Sequence, residues 1–227
     1  MGEQRKYKGY VVAAVIAGVL ASCTGSHSGA GSGTGSGSGT ASGPGSRSDD
    51  GSHAPLSVGR VKEMAADPGE TCPVPFDMAA AAKSARIGER IRAGTVSGET
   101  ADKSDPSAPL TLFKGALVSC GYSIGKEKAH VFTVGVGKGT AVGVLLPQVQ
   151  HDAGMAMTEL KAYAAEASKA PAGKPVLTPS GNVASVRLSA DGKGDLALVV
   201  SLGEDRTALT KTQVTDLTGK LADQAHG

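Results

Sequence analysis

The sequence predicts an α+β domain: an antiparallel sheet of about five or six strands with three helices packed mainly on one face. Three observations predict it. Val-rich and Leu-rich runs of strand length are separated by Gly and Lys turns, helix-forming stretches with capping residues lie between them, and residues 189–194 between two such runs carry a hairpin signature. The order reads helix, three strands, helix, two or three strands, helix.

Each element follows from local chemistry. After Cys72, Pro73 and Pro75 break any regular structure, and Asp77 then caps MAAAAKSARIGERIR, which predicts a first helix over 78–92. Residues 95–109 are polar and carry Gly98, Pro106 and Pro109, which reads as a long loop. Residues 116–123, 130–136 and 140–146 are Val-rich and read as strands. Pro147 opens a second helix over 148–168, with Val149, Met155, Leu160 and Tyr163 as a loose apolar stripe. A Pro-punctuated connector over 170–179 precedes two strands, 182–188 and 195–202, which flank a turn over 189–194. Thr210 with Gln213 forms a capping-box pattern for a last helix bearing Val214, Leu217 and Leu221. Gly137-Lys138-Gly139 and Gly192-Lys193-Gly194 each join two Val/Leu strands that lead toward a helix, which suggests a faint two-half repeat.

Apolar residues make up 40% of the chain but aromatic ones only 3%, with no Trp, so Ala, Val and Leu must build the core. The formal charge of +2 comes entirely from Arg5, Lys6 and Lys8 against Glu3. The rest of the chain is formally neutral and lacks the basic stripe of a nucleic-acid binder, so nucleic acid is excluded as an expected partner.

The first 22 residues have the form of an export signal: three cationic side chains, then an eleven-residue apolar run from Tyr10 to Leu20. As a helix this run spans about 16 Å, short of the roughly 30 Å hydrocarbon core of a membrane. It ends in Leu20-Ala21-Ser22-Cys23, which resembles the lipobox of bacterial lipoproteins. That resemblance implies cleavage before Cys23, a diacylglycerol on its thiol with palmitate-type acyl chains, and a protein held on the cell membrane facing outside. From Thr24 to Ser46, nine Gly and seven Ser fill 16 of 23 positions, a composition that cannot bury apolar surface against its ordering entropy. The expected organisation is a signal peptide over 1–22, a disordered tether over 23–56 beginning at the lipidated Cys23, and a single domain over 57–227. His27 and His53 lie in the tether, where nothing fixes the geometry a metal needs.

With Cys23 carrying lipid, Cys72 and Cys120 remain as an even pair in a compartment where disulfides persist, and a bridge between them is the economical reading. It would close a loop of roughly 49 residues, worth roughly 4 kcal/mol. A reactive or metal-binding thiol pair is the rival, without CxxC spacing or a neighbouring His to support it.

Around these cysteines, the Cys72 helix and the strand Val118-Ser119-Cys120-Gly121-Tyr122 resemble small secreted lipoprotein domains of high-GC Gram-positive bacteria over residues 71–136. Those domains pair a Cys before an Ala-rich helix with a Cys on a strand. They are largely of uncharacterised function, and some similar domains serve as extracellular sensor modules. The second half of this chain lacks the further cysteines many of them carry.

Other motifs compete with this reading. Gly121-Tyr122-Ser123-Ile124-Gly125 matches GxSxG, in which a nucleophilic serine sits on a strand-to-helix turn. Here a Val-rich strand follows within a few residues, as in a hairpin. His130, His151 or His226 with Asp152 or Asp195 would have to complete a catalytic set. Gly135-x-Gly137-x-Gly139 lacks the spacing and following helix of a phosphate loop. Asp191-Gly-Lys-Gly-Asp195 has too few oxygen ligands for calcium and reads as a solvated hairpin tip. Scarce aromatics disfavour a sugar-stacking platform. The resulting expectation is a membrane-anchored, extracytoplasmic, non-catalytic module, sensory in the resemblance, that binds a small ligand or a partner protein of the cell envelope without metal or cofactor. A serine hydrolase of cell-wall or lipid substrates acting through Ser123, and a structural subunit of an envelope complex, are the alternatives.

Overall fold

The computed structural model describes residues 56–226; the export signal, Cys23 and the tether lie outside the described residues. Within them, one six-stranded antiparallel sheet runs in the order β1-β2-β3-β6-β5-β4. Its strands are β1 (Ile91–Thr100), β2 (Gly115–Ile124), β3 (Glu127–Val136), β4 (Val176–Leu177), β5 (Val183–Leu188) and β6 (Asp195–Leu202). Two three-stranded meanders, β1-β2-β3 and β4-β5-β6, thus meet at β3 and β6, whose register pairs Phe132 with Val199 and His130 with Ser201. The two-half arrangement is a property of the sheet. The two Gly-Lys-Gly turns are not its equivalent points, since Gly137–Gly139 leads out of the sheet whereas Gly192–Gly194 closes the β5–β6 hairpin.

The antiparallel α+β class stands, but the helices exceed three and line both faces of the sheet, rather than mainly one. The period-2 side-chain alternation of a strand explains why both faces need cover. On one face Val118, Cys120, Val131, Leu198 and Val200 are buried, and on the other Leu117, Val134, Ala197 and Val199. The first face packs against α1 (Val58–Ala66), α2 (Met78–Ser84) and α7 (Lys211–His226). The second packs against α4 (Ala141–Val144), α5 (Leu146–Asp152) and α6 (Met157–Lys169). A short α3 (Pro109–Leu112) lies between β1 and β2. The core is Ala, Val and Leu, as the composition requires.

Several boundaries differ from expectation for identifiable reasons. Helix α1 begins where the Ser57 side chain accepts from the Arg60 N–H at 3.2 Å and buries Val58, Val61 and Ala65. Asp77 caps α2 as predicted, accepting from the Ala80 N–H at 2.8 Å. That helix stops at Ser84, because Arg86 turns left-handed at φ 56° and the Ile87 N–H donates back to the Ala82 carbonyl. Residues 95–100, the first part of the stretch read as a loop, belong instead to the exposed edge strand β1, whose polar sequence hides a pairing made by β2, while 101–108 form a loop as read. Residues 140–146, read as a strand, are α4 and the start of α5: Asp195 accepts from the Ala141 N–H at 2.8 Å and starts a helix in an apolar run that periodicity leaves ambiguous. The helix expected over 148–168 breaks at Gly154, φ +59°, into α5 and α6. Thr210 and Gln213 form the predicted capping box, with reciprocal bonds of 3.2 and 3.0 Å.

Cys72, in the loop between α1 and α2, is bonded to Cys120 on β2, with 5.5 Å between their Cα atoms. Among the described residues no helix is long and apolar enough to cross a membrane.

Candidate functional site

The lengths of the sheet's connections decide where it stays open. The connection from β3 to β4 carries α4, α5 and α6, enough to roof the second face over β3, β6 and β5. The connection from β1 to β2 carries only the four residues of α3. The second face over β1, β2 and the His130–Phe132 end of β3 therefore lacks a helical layer. It forms the floor of a groove of about 1180 Å³, bounded on one side by residues 100–110 and on the other by α4 and α5.

Small residues keep this floor wide. Register places Ser97, Ser119 and Phe132 in one row across β1, β2 and β3, and Glu99, Leu117 and Val134 in the next. In the row on the other side of Phe132, His130 faces Gly121. The β1 bulge covers Gly121 closely, so that a Cβ there would stand 3.0 Å from the Thr95 carbonyl oxygen. The rings of His130 and Phe132, two residues apart on one strand face, stack 5.9 Å apart at 14° and form an aromatic shelf. The Ser97 and Ser119 hydroxyls have no hydrogen-bond partner among the described residues, so they are available to a ligand.

One rim is acidic. Asp102 accepts from the Ser104 N–H at 2.8 Å and hydroxyl at 2.7 Å, and Asp105 accepts from the Ser107 hydroxyl at 2.6 Å and N–H at 3.0 Å. The Ser104 backbone and the Ser107 hydroxyl hold the two carboxyls below the ordinary carboxylate range. Thr111 on α3 fastens this loop by bonding both the N–H and the carbonyl of Asp102.

The opposite wall is pinned by Asp152, a buried carboxylate at the end of α5. Its Oδ2 accepts from the Ser201 hydroxyl at 2.6 Å, and its Oδ1 accepts from Gln148 Nε2 at 2.7 Å and lies 3.2 Å from His151 Nδ1. Asn182 donates to its backbone carbonyl at 2.7 Å. These bonds fasten α5 to β6 and to the turn before β5, so the groove's wall is anchored to its floor. The apolar part of the lining, Leu110, Leu117, Val144 and Leu145, lies toward α3 and α4.

The residues singled out in the sequence separate in space. Ser123 faces Lys128 beside the two-residue turn Gly125-Lys126, where β2 enters β3 and no helix follows, and no histidine hydrogen-bonds to it among the described residues. His151 and Asp152 do meet, but with Ser201 and not Ser123. His130 lies on the groove floor, opposite Ser201. Asp195 is not at a solvated tip: its side chain is 12% exposed, paired with Arg187 at 2.9 Å, and caps α4. Among the described residues no three His, Cys, Asp or Glu side chains are grouped to hold a metal ion. The groove itself had one sequence signal, His130 and Phe132 alternating with Ala, Val and Thr on β3, a polar and aromatic face opposite an apolar one.

No known protein family model, curated protein or solved structure matches this chain.

Proposed function

We propose that the protein is a cell-envelope lipoprotein, held on the outer side of the cell membrane through Cys23, whose folded domain is a non-catalytic binding module. One observation carries the binding reading: a groove of about 1180 Å³ over the unroofed face of β1, β2 and the His130–Phe132 end of β3, floored by the His130–Phe132 shelf and with unpartnered hydroxyls on Ser97 and Ser119. Concave, partly apolar surfaces with a few convergent polar groups are where proteins hold ligands. The disulfide supports an extracytoplasmic location, since such bonds persist in oxidising compartments. The anchor rests on the lipobox resemblance alone.

Two measurements test the proposal. Mass spectrometry of the mature N-terminal peptide is expected to find a diacylglycerol-modified Cys23, and an unmodified thiol overturns the anchor. For the groove, envelope extracts are titrated into the isotope-labelled protein. Amide and side-chain signals of Leu117, Ser119 and Phe132 are expected to shift together. Shifts confined to the helical face around α7 would overturn the groove as the binding surface.

A further inference from the structure

We propose that the groove receives a short, extended, basic peptide segment, an inference that rests on the binding reading above and adds the chemistry of the occupant. Its size is the first argument. At about 1180 Å³ the groove exceeds the range that encloses a drug-sized molecule, which suits a chain segment rather than a compact small ligand.

Charge is the second. Six carboxylates line the groove, those of Glu99, Asp102, Asp105, Glu127, Asp152 and Glu204. Only Lys126 and Lys128 oppose them, which leaves a formal −4 with both histidines neutral. The imbalance is local, because the chain beyond the first 22 residues has no net formal charge. A cleft lined by one sign of charge concentrates the opposite sign and repels its own. Asp152 and Glu127 are already satisfied by internal donors, the latter by the Thr207 hydroxyl and the Ala208 N–H, and act at a distance. Glu99 and Glu204 have no such bonds and are exposed, so they are placed to pair with incoming cations.

The third argument is how the polar and apolar groups alternate. Glu99 sits directly across from Leu117, and Ser119 directly across from Phe132, so carboxylate, apolar surface and free hydroxyl recur within a strand spacing. An extended peptide also presents side chains with a period of two. Lysine or arginine side chains directed at Glu99 and the Asp102–Asp105 rim leave the intervening apolar side chains over Leu117 and Phe132. The Ser97 and Ser119 hydroxyls then bond the peptide backbone.

The test uses the whole mature protein and two peptides of about ten residues, one alternating lysine with valine and one alternating glutamate with valine, read by fluorescence anisotropy and by NMR shifts. The basic peptide is expected to bind at least roughly tenfold tighter than the acidic one, to shift Leu117, Ser119 and Phe132, and to weaken steeply with added salt. Glu99→Gln with Glu204→Gln is expected to weaken it by roughly threefold to tenfold while leaving the thermal midpoint unchanged, since neither carboxylate holds the fold. Equal or tighter binding of the acidic peptide, or basic-peptide shifts outside the groove, overturns the inference. Stronger groove shifts with dodecylammonium below its micelle concentration than with either peptide would also overturn it, in favour of an amphiphile, and the binding reading would survive. Groove signals that stay unmoved by peptides, dodecylammonium and envelope extract alike would defeat both.

Discussion

Gly98 on β1 lies directly beneath the last turn of α1, so close to Ala65 that a Cβ added to Gly98 would come within 2.7 Å of the Ala65 Cα and carbonyl carbon. These atoms are backbone and have no flexible end to move aside. Gly98→Ala is therefore expected to lift α1 from the sheet and destabilise the domain by about 1–3 kcal/mol, the range for overpacked sites. Gly59, on the same helix, provides the control, since a Cβ there would meet only the Ser57 Oγ at an ordinary 3.7 Å: Gly59→Ala is expected to be neutral or stabilising by up to about 1 kcal/mol. Urea unfolding of both variants checks this, and equal stabilities would show that α1 does not pack on β1 in this way.

The same contact illustrates what the sequence conceals. Strands β2, β3, β5 and β6 were legible because Val and Leu alternate or run continuously between glycines. The capped starts at Asp77 and Thr210 were legible because side-chain oxygens reach only a few residues along the chain. Strand β1 was not. Its sequence is polar and Gly-containing, and only partners about 25 residues away, such as Cys120 opposite Val96, make it a strand. Helix α4 was hidden for the converse reason, because its start depends on Asp195, 54 residues distant. The groove depends on which connections carry helices, and that becomes visible only once β1 and α4 are correctly assigned.

The disulfide joins the loop after α1 to the middle of β2, across 48 residues of sequence. That span encloses α2, β1 and α3, which supply the β1 edge of the groove's floor and its acidic rim. Replacing both cysteines by Ala is expected to cost about 4 kcal/mol through greater freedom of the unfolded chain. Calorimetry on the double variant checks it. A loss under about 1 kcal/mol would mean that the β1–β2 pairing holds this region unaided.

Thr133 on β3 stands between Val118 of β2 and Leu198 of β6, fully buried, and its hydroxyl has no hydrogen-bond partner among the described residues. A hydroxyl removed from water without a partner opposes folding. Valine has the same branched shape without the oxygen. Thr133→Val is expected to stabilise the domain by about 1 kcal/mol, read as a higher urea midpoint with an unchanged slope. A lower midpoint would show that the hydroxyl is satisfied in solution.

Tyr163 on α6 is buried against the sheet and donates its hydroxyl to Ser185 on β5 at 2.6 Å. Burial pushes its hydroxyl up to about 12, against about 10 for an exposed tyrosine. Because the folded value lies above the unfolded one, the stabilisation is fully present below pH 10 and is lost as pH rises toward 12. The loss across that window is expected to be roughly 2–3 kcal/mol. Tyr163→Phe removes the ionising group, so its stability is expected to fall less steeply between pH 10 and 12, although at neutral pH it costs about 1 kcal/mol through the unpartnered Ser185 hydroxyl. Tyr122, half-exposed and also raised by burial, adds a smaller slope, and the comparison is therefore made in a Tyr122→Phe background. Parallel pH profiles for the two proteins would mean that α6 opens before the sheet unfolds and lets Tyr163 ionise in the folded state.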